Sequence, residues 1–359
     1  MKYGKDLQEL AAELVRRDQA KHDYLVDTRN LHMDADEHNA MLTIKNEATG
    51  QSILLGINEV AHNQIGTNLG IPAKYYDKMR AENPALLAQN VNSWFNKDPE
   101  ERMIRTLDGY TRAFLSKKYR RIDNLKIASA VLPIIADMPE ARVESCEVTD
   151  ERLYIKVVNP RLTTEVTPGD IVQSGIMITN SEVGLGSMTI QPLVYRLVCT
   201  NGMVVNDAKT RKYHVGRGNT AAEDFTLYSD ETLIAEDEVL MMKVQDTMKA
   251  VVDQARFDKV VAMMRAAKDA KITTSNIPAM VELASTDFGY TKQEGQGILD
   301  YLIRGGDLSL YGFANATTRF AQDVHSYDRS TALESVGYTI LGMSPAQWNR
   351  LNAVEKAVA

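Results

Sequence analysis

Apolar residues change their period several times along the chain, and each change predicts a different element. Leu7, Leu10, Leu14 and Val15 fall at helical spacing with charges between them, which reads as an amphipathic helix. The segments MLTIKN (41–46) and QSILLG (51–56) flank the turn residues Ala48-Thr49-Gly50 and predict a hairpin. Helical spacing returns over 58–95. There Asn58 can cap a helix, Gly70-Ile71-Pro72 separates it from the next, and Tyr75, Tyr76, Met79, Leu86, Leu87, Val91, Trp94 and Phe95 repeat. The run RTLDGYTRAFLSKKY predicts a second hairpin, turning at Asp108-Gly109, with a helix from Asp123 to Asp137 behind it.

β-branched residues then alternate or cluster over Arg142 to Val148, Leu153 to Val158 and Gly169 to Asn180. Thr189 to Thr200 reads as a further strand or short helix, ending at an Asn201-Gly202 turn. Leu240, Val244, Met248, Val251 and Ala255 mark a long amphipathic helix reaching about residue 268, and 276–359 reads as helical with breaks at Gly305-Gly306 and Gly342. A helix ahead of antiparallel strands gives an α+β fold: a central β-hairpin core, a long amphipathic helix and a helical C-terminal region. Length divides the chain into an N-terminal region (1–100), a core (101–270) and a C-terminal region (271–359).

Composition narrows the function classes. Hydrophobic residues are 44% and charged residues 25% of 359, enough for a real core. The net charge is −7, so a nucleic-acid site must be a local basic patch on an acidic body. Cys146 and Cys199 are too few for a disulfide framework or a zinc site and read as reduced thiols of a cytoplasmic protein. The N-terminal amphipathic helix is not the unbroken apolar region of a signal peptide, and the most apolar segment, Ile127 to Met138, is short and contains Pro133, so no membrane span is expected.

Candidate chemistry is sparse. On a strand, His32, Asp34, Asp36 and His38 would share one face and could gather a metal; a solvated loop is the other reading. Gly184-Leu185-Gly186 and Gly216-Arg217-Gly218 lack the context of a phosphate loop and read as turns. A hairpin could bring Cys199 to His214, yet a lone thiol in an apolar strand is ordinarily core. Glu182, in Asn180-Ser181-Glu182, is expected to serve structure; an acid or metal-ligand role is its alternative.

Two basic stretches stand out. The first, 102–121, carries Arg102, Arg105, Arg112, Lys117, Lys118, Arg120 and Arg121 against Asp108 alone, with Tyr110, Phe114 and Tyr119 interleaved. The second, 195–217, carries Arg196, Lys209, Arg211, Lys212, Tyr213, His214 and Arg217 against Asp207. Phosphates need cations and single-stranded bases need flat side chains to stack on. An exposed strand face protected against edge pairing would look the same. The acids Glu223, Asp224, Asp230, Glu231, Glu236, Asp237 and Glu238 follow without a base among them. They read as a solvated helix start or as a contact between copies.

The segments RTLDGYTRAFLSKKYRRIDN, GIMITNSEVGLGSMTIQPLVYRLVCTNGMV, YHVGR and YGFANATTRFAQDVHSYDRSTALE occur in that order. With them the chain resembles, from about residue 60 to 342, a phage/plasmid-like protein family that is a domain of unknown function. The resemblance implies a mobile-element role and assigns no chemistry. A helix with a hairpin core and a long following helix also resembles, at the level of fold, the phage single-strand annealing proteins of the Red-beta and Rad types. That likeness implies oligomers binding single-stranded DNA along a basic groove without a cofactor.

The expected function is therefore non-enzymatic: ATP-independent binding or annealing of single-stranded DNA by a homo-oligomer, in recombination or replication, with a phage or host recombination protein as a further partner. Arg112, Lys117, Lys118, Arg120 and Arg121 would hold phosphates, with Tyr119 stacking. Lys209, Arg211, Lys212 and Arg217 would form a second wall, with Tyr213 stacking. The alternatives are a non-catalytic protein that blocks a host-defence component and, behind it, a metal-dependent nuclease using Asp34, Asp36 or the acidic run.

Overall fold

The computed structural model of the chain describes residues 1–46, 49–119, 121–205, 235, 238–239, 241–246, 248 and 254–354. It is an α+β protein built on two sheets. Helix α1 (Leu7–Ala20) starts at a capping box, in which Asp6 accepts from the Glu9 amide and Glu9 answers the Asp6 amide. Of its four predicted apolar positions Leu10 and Leu14 are buried, while Leu7 and Val15 remain exposed.

The first sheet holds β1 (His22–Asp27), β2 (Leu31–Ala35), β3 (Ala40–Lys45), β4 (Ser52–Ile57), β5 (Glu101–Leu107) and β6 (Tyr110–Ser116), in the order β1-β5-β6-β4-β3-β2. Its pairs are antiparallel except β4 with β6. Helices α2 (Glu59–Asn68), α3 (Ala73–Glu82) and α4 (Pro84–Lys97) cover one face. Asn58 caps α2 as expected. The β5–β6 turn is Asp108-Gly109, with φ of 52° and 80°, the left-handed pair that a two-residue hairpin requires.

The second sheet is a meander of β7 (Arg142–Val148), β8 (Leu153–Glu165), β9 (Ile171–Asn180), β10 (Thr189–Arg196) and β11 (Asn201–Val204). Alternation gives its strands two buried faces. Leu153, Ile155, Val157, Ile176 and Ile178 pack on Leu10 and Leu14 of α1, on Ile127, Val131 and Ile135 of α5 (Asn124–Asp137), and on Val244 and Met248. Full burial of each such side chain stabilises by about 1.5–3 kcal/mol.

The C-terminal helices are α6 (Gln254–Asp269), α7 (Ile277–Phe288), α8 (Lys292–Gly305), α9 (Leu310–Phe320), α10 (Tyr327–Leu341) and α11 (Pro345–Asn352). They share a core with Val172, Val194 and Met203. On the face of β8 toward α10, Lys156 Nζ meets Glu334 Oε2 at 2.7 Å, with neither side chain exposed, and lies 4.7 Å above the Tyr327 ring. No helix among the described residues is long and apolar enough to cross a membrane.

Strands β1 and β4 find their partners in β5 and β6, across residue 100, and strands before residue 270 share a core with helices after it. One expectation changes. Asn201-Gly202 is no turn: both residues pair with β10, and the reversal lies at 197–200, where Thr200 takes φ 50°. In the long helix expected after the acidic run, Ala255 is exposed and Phe257 is the buried residue. Leu240 and Val251 lie outside the described residues, as do the acids other than Glu238, which is exposed.

Candidate functional site

The first basic stretch divides between the β5–β6 hairpin, which buries Arg105 and Arg112, and the loop after it. Arg105 is fully buried between the sheets. Its Nε and Nη2 donate to Asp23 at 2.8 and 3.1 Å, Nη2 donates to Asp123 at 2.7 Å, and Nη1 donates to the Glu182 carbonyl at 2.9 Å. Burial opposes its charge, but the two aspartates outweigh burial and the guanidinium pKa is raised. For Asp123 burial likewise works against ionisation, and the hydrogen bonds from Arg105 and Lys21 overcome it and lower its pKa.

Arg112 is also inside. Its Nη1 donates to Glu182 Oε2 at 2.7 Å, and among the described residues its Nε and Nη2 are buried without a partner. The other oxygen of Glu182 accepts from the Asn124 amide at 2.6 Å, in the first turn of α5, where a carboxylate complements the helix dipole. Asn180 Nδ2 donates to the Ile122 carbonyl and to Asn124 Oδ1, and Ser181 Oγ donates to the Glu151 carbonyl. Asn180-Ser181-Glu182 thus ties the end of β9 to α5 and to β6.

A buried ion pair is no phosphate contact, so Arg112 leaves the candidate DNA surface. Tyr119 leaves it as a free stacking ring: its hydroxyl donates to the Ser181 carbonyl at 3.1 Å and its ring packs beside Leu115 and Val183. Arg102 is held by Glu100 and lies over the Phe114 ring. Lys117, Lys118 and Arg121 remain exposed on the loop between β6 and α5; Lys117 stands 3.1 Å from Glu101 and Arg121 3.3 Å from Asp23. Arg120, Lys209, Arg211, Lys212, Tyr213 and Arg217 lie outside the described residues.

The other candidates resolve into local roles. On β2, Asp34 accepts from the Thr43 hydroxyl and lies 3.6 Å from His32; Asp36 accepts the His38 and Asn39 amides in a turn. Among the described residues no three His, Cys, Asp or Glu side chains converge on a metal position. Gly184 and Gly186 have φ of 77° and 145° in a bend against Leu115 and Arg152. Burial pushes the Cys146 thiol up to about 11, where it is inert. Cys199 Sγ accepts from Arg196 at 3.1 Å; His214 and Gly216 to Gly218 lie outside the described residues.

A cavity of about 400 Å³, which the sequence did not disclose, opens between the β10–β11 turn and helices α8 and α9. Arg196, Arg304 and Arg319 line it, together with Tyr301 and Asp307. Arg196 Nε donates to Asp170 at 2.5 Å, and Asp170 also accepts the Tyr311 hydroxyl at 2.8 Å. The Arg319 guanidinium lies 4.8 Å from the Tyr301 ring centre, while Asp323 accepts from both residues, at 3.4 Å from Arg319 and 2.6 Å from the Tyr301 hydroxyl. Arg304 is exposed in the last turn of α8. Gly312 is required here, because a Cβ would fall 1.7 Å from the Asp307 carbonyl oxygen.

The arginines lie far apart in sequence, and no spacing rule joins them. The one available signal is that VYRLVC and YGFANATTRF, segments of the resemblance, supply Arg196 and Arg319 to the same cavity. No curated protein and no solved structure matches the chain. A family model described as a domain of unknown function (DUF932) matches residues 113–354, which takes in most of β6, all of the second sheet and the helices through α11. The chain belongs to that family.

Proposed function

We propose that the chain binds single-stranded nucleic acid without catalysis, as an oligomeric DNA-binding or annealing protein of a phage or plasmid. One observation carries the reading: a basic loop presented on a rigid base. Lys117, Lys118 and Arg121 project from the β6–α5 connection. The loop is fastened below by the Tyr119 hydroxyl on Ser181, by the Tyr119 amide on the Ser116 carbonyl and by the Lys118 amide on Ser116 Oγ. A loop held by its scaffold loses little entropy when it meets a ligand. The exposed pair of Lys117 with Glu101 is a weak competitor for a phosphate, and Arg121 shares Asp23 with the buried Arg105.

Anisotropy of a labelled oligo(dT), titrated with salt, tests this. The full chain should bind, and the combined change Lys117→Ala, Lys118→Ala, Arg121→Ala should reduce the log–log salt slope by about 0.7 for each phosphate no longer neutralised. Absence of binding, or the same slope in the variant, overturns the reading. Light scattering on the same samples reports whether the DNA-bound form is an oligomer.

A further inference from the structure

We propose that the cavity between the β10–β11 turn and helices α8 and α9 is a binding site for a nucleotide-sized organic phosphate, separate from the basic loop. Three features fix that class. The first is charge. Among the lining residues Arg196, Arg304 and Arg319 face one carboxylate, Asp307. Asp307 is answered from behind by Lys268 at 3.4 Å and accepts the Ser309 hydroxyl at 2.7 Å. Counting the supporting groups, Arg196, Arg304, Arg319 and Lys268 stand against Asp170, Asp307 and Asp323, and one positive charge is left over. It belongs to Arg304, which has no ion-pair partner among the described residues.

The second feature is preparation. Arg319 is stacked on Tyr301 and held by Asp323; Arg196 lies 5.7 Å from the Tyr311 ring centre and is held through Nε by Asp170 and through Nη1 by Cys199. A guanidinium whose plane is already fixed by a ring and a carboxylate keeps donors along its remaining edge for a planar or bidentate anion. Fixing these planes in advance removes entropy that binding would otherwise lose.

The third feature is size and lining. About 400 Å³ falls in the range of small-molecule pockets and far exceeds a bare phosphate. Val198, Leu302 and Ala316 give it apolar walls, with the ring of Tyr301 beside them. Val198 is 59% exposed at the mouth, an apolar surface that a bare ion would leave in water. The cations therefore call for a phosphate and the walls for an organic body attached to it.

Calorimetry on the full chain, using each of the four ribonucleoside 5′-monophosphates as probe, with the nucleosides and inorganic phosphate in parallel, tests the site. At least one monophosphate should bind at least about tenfold more tightly than its nucleoside and than phosphate, as expected for removing either half of the recognition. Arg304→Ala, at an exposed position, should keep the fold and weaken that monophosphate by about tenfold. The combined Lys117, Lys118 and Arg121 variant should bind it unchanged. This separates the cavity from the nucleic-acid reading: loss of oligo(dT) binding alone leaves the cavity standing. Failure of every monophosphate to bind at millimolar concentration, equal affinity for inorganic phosphate, or an undiminished Arg304→Ala variant overturns the proposal.

Discussion

Arg105 and Arg304 carry the same guanidinium into opposite circumstances. Arg105 lies on a strand between two sheets, with no part of it exposed, and gives its donors to Asp23, Asp123 and a carbonyl of Glu182. Arg304 lies in the last turn of a helix, exposed at the rim of a cavity and unclaimed among the described residues. The first is part of the framework and the second is available to a ligand. His62 completes the comparison. It is buried, and its Nδ1 lies 2.9 Å from the Tyr76 hydroxyl oxygen. Burial, reinforced by nearby Arg80, lowers its pKa to about 4. Bonded anions thus repay the lost hydration of the charge at Arg105, while burial at His62, where the nearby Glu59 does not outweigh it, favours the neutral imidazole.

The largest test of this contrast is Arg105→Met. It fills similar space but takes away the buried cation that Asp23 and Asp123 share, leaving them only Arg121 and Lys21 at the edge, and should cost about 3–5 kcal/mol in urea unfolding. A cost under about 1 kcal/mol would mean that water reaches the junction and that it is not the closed network described.

A smaller effect belongs to His62. Its folded pKa of about 4 lies below the ordinary value of 6.5, so the unfolded chain takes up the proton first. The stability it contributes is complete above about pH 6.5 and is lost as pH falls toward 4, by up to about 3 kcal/mol. His62→Gln should lack that part of the pH dependence. If both proteins follow the same unfolding profile from about pH 7 to 4, the imidazole is better hydrated than its burial indicates.

Arg304→Ala should be the mildest, changing unfolding free energy by no more than about 0.5 kcal/mol because no buried group depends on it. A loss comparable to that of Arg105→Met would make Arg304 a framework residue and dissolve the contrast.

Much of this fold is legible in the residues. Asn58 as a cap, the Asp108-Gly109 turn and the apolar rhythm of α2 to α5 are local signals, and each element stands where its rhythm places it. The candidate site was legible only in part. Alternation along β5 and β6 distinguishes the two sides of each strand, yet it does not reveal that both sides are covered. The loop around Val183 packs against Ala113 and Leu115 of the hairpin and Val60 of α2, and takes Arg105 and Arg112 inside with it.

By itself the sequence determined many of the elements, because helical and strand periods and turn residues act over a few neighbours, although it put a turn at Asn201-Gly202 where β11 runs. Only the tertiary structure decided which cations are framework and which are free. Arg105 meets Glu182 across 77 residues of chain and Arg112 meets it across 70. The cavity likewise draws Arg196 and Arg319 from segments separated by a strand, the run 206–253 and several helices. The role of a charge is set by the anions and the water that surround it in space, and local periodicity carries no record of either.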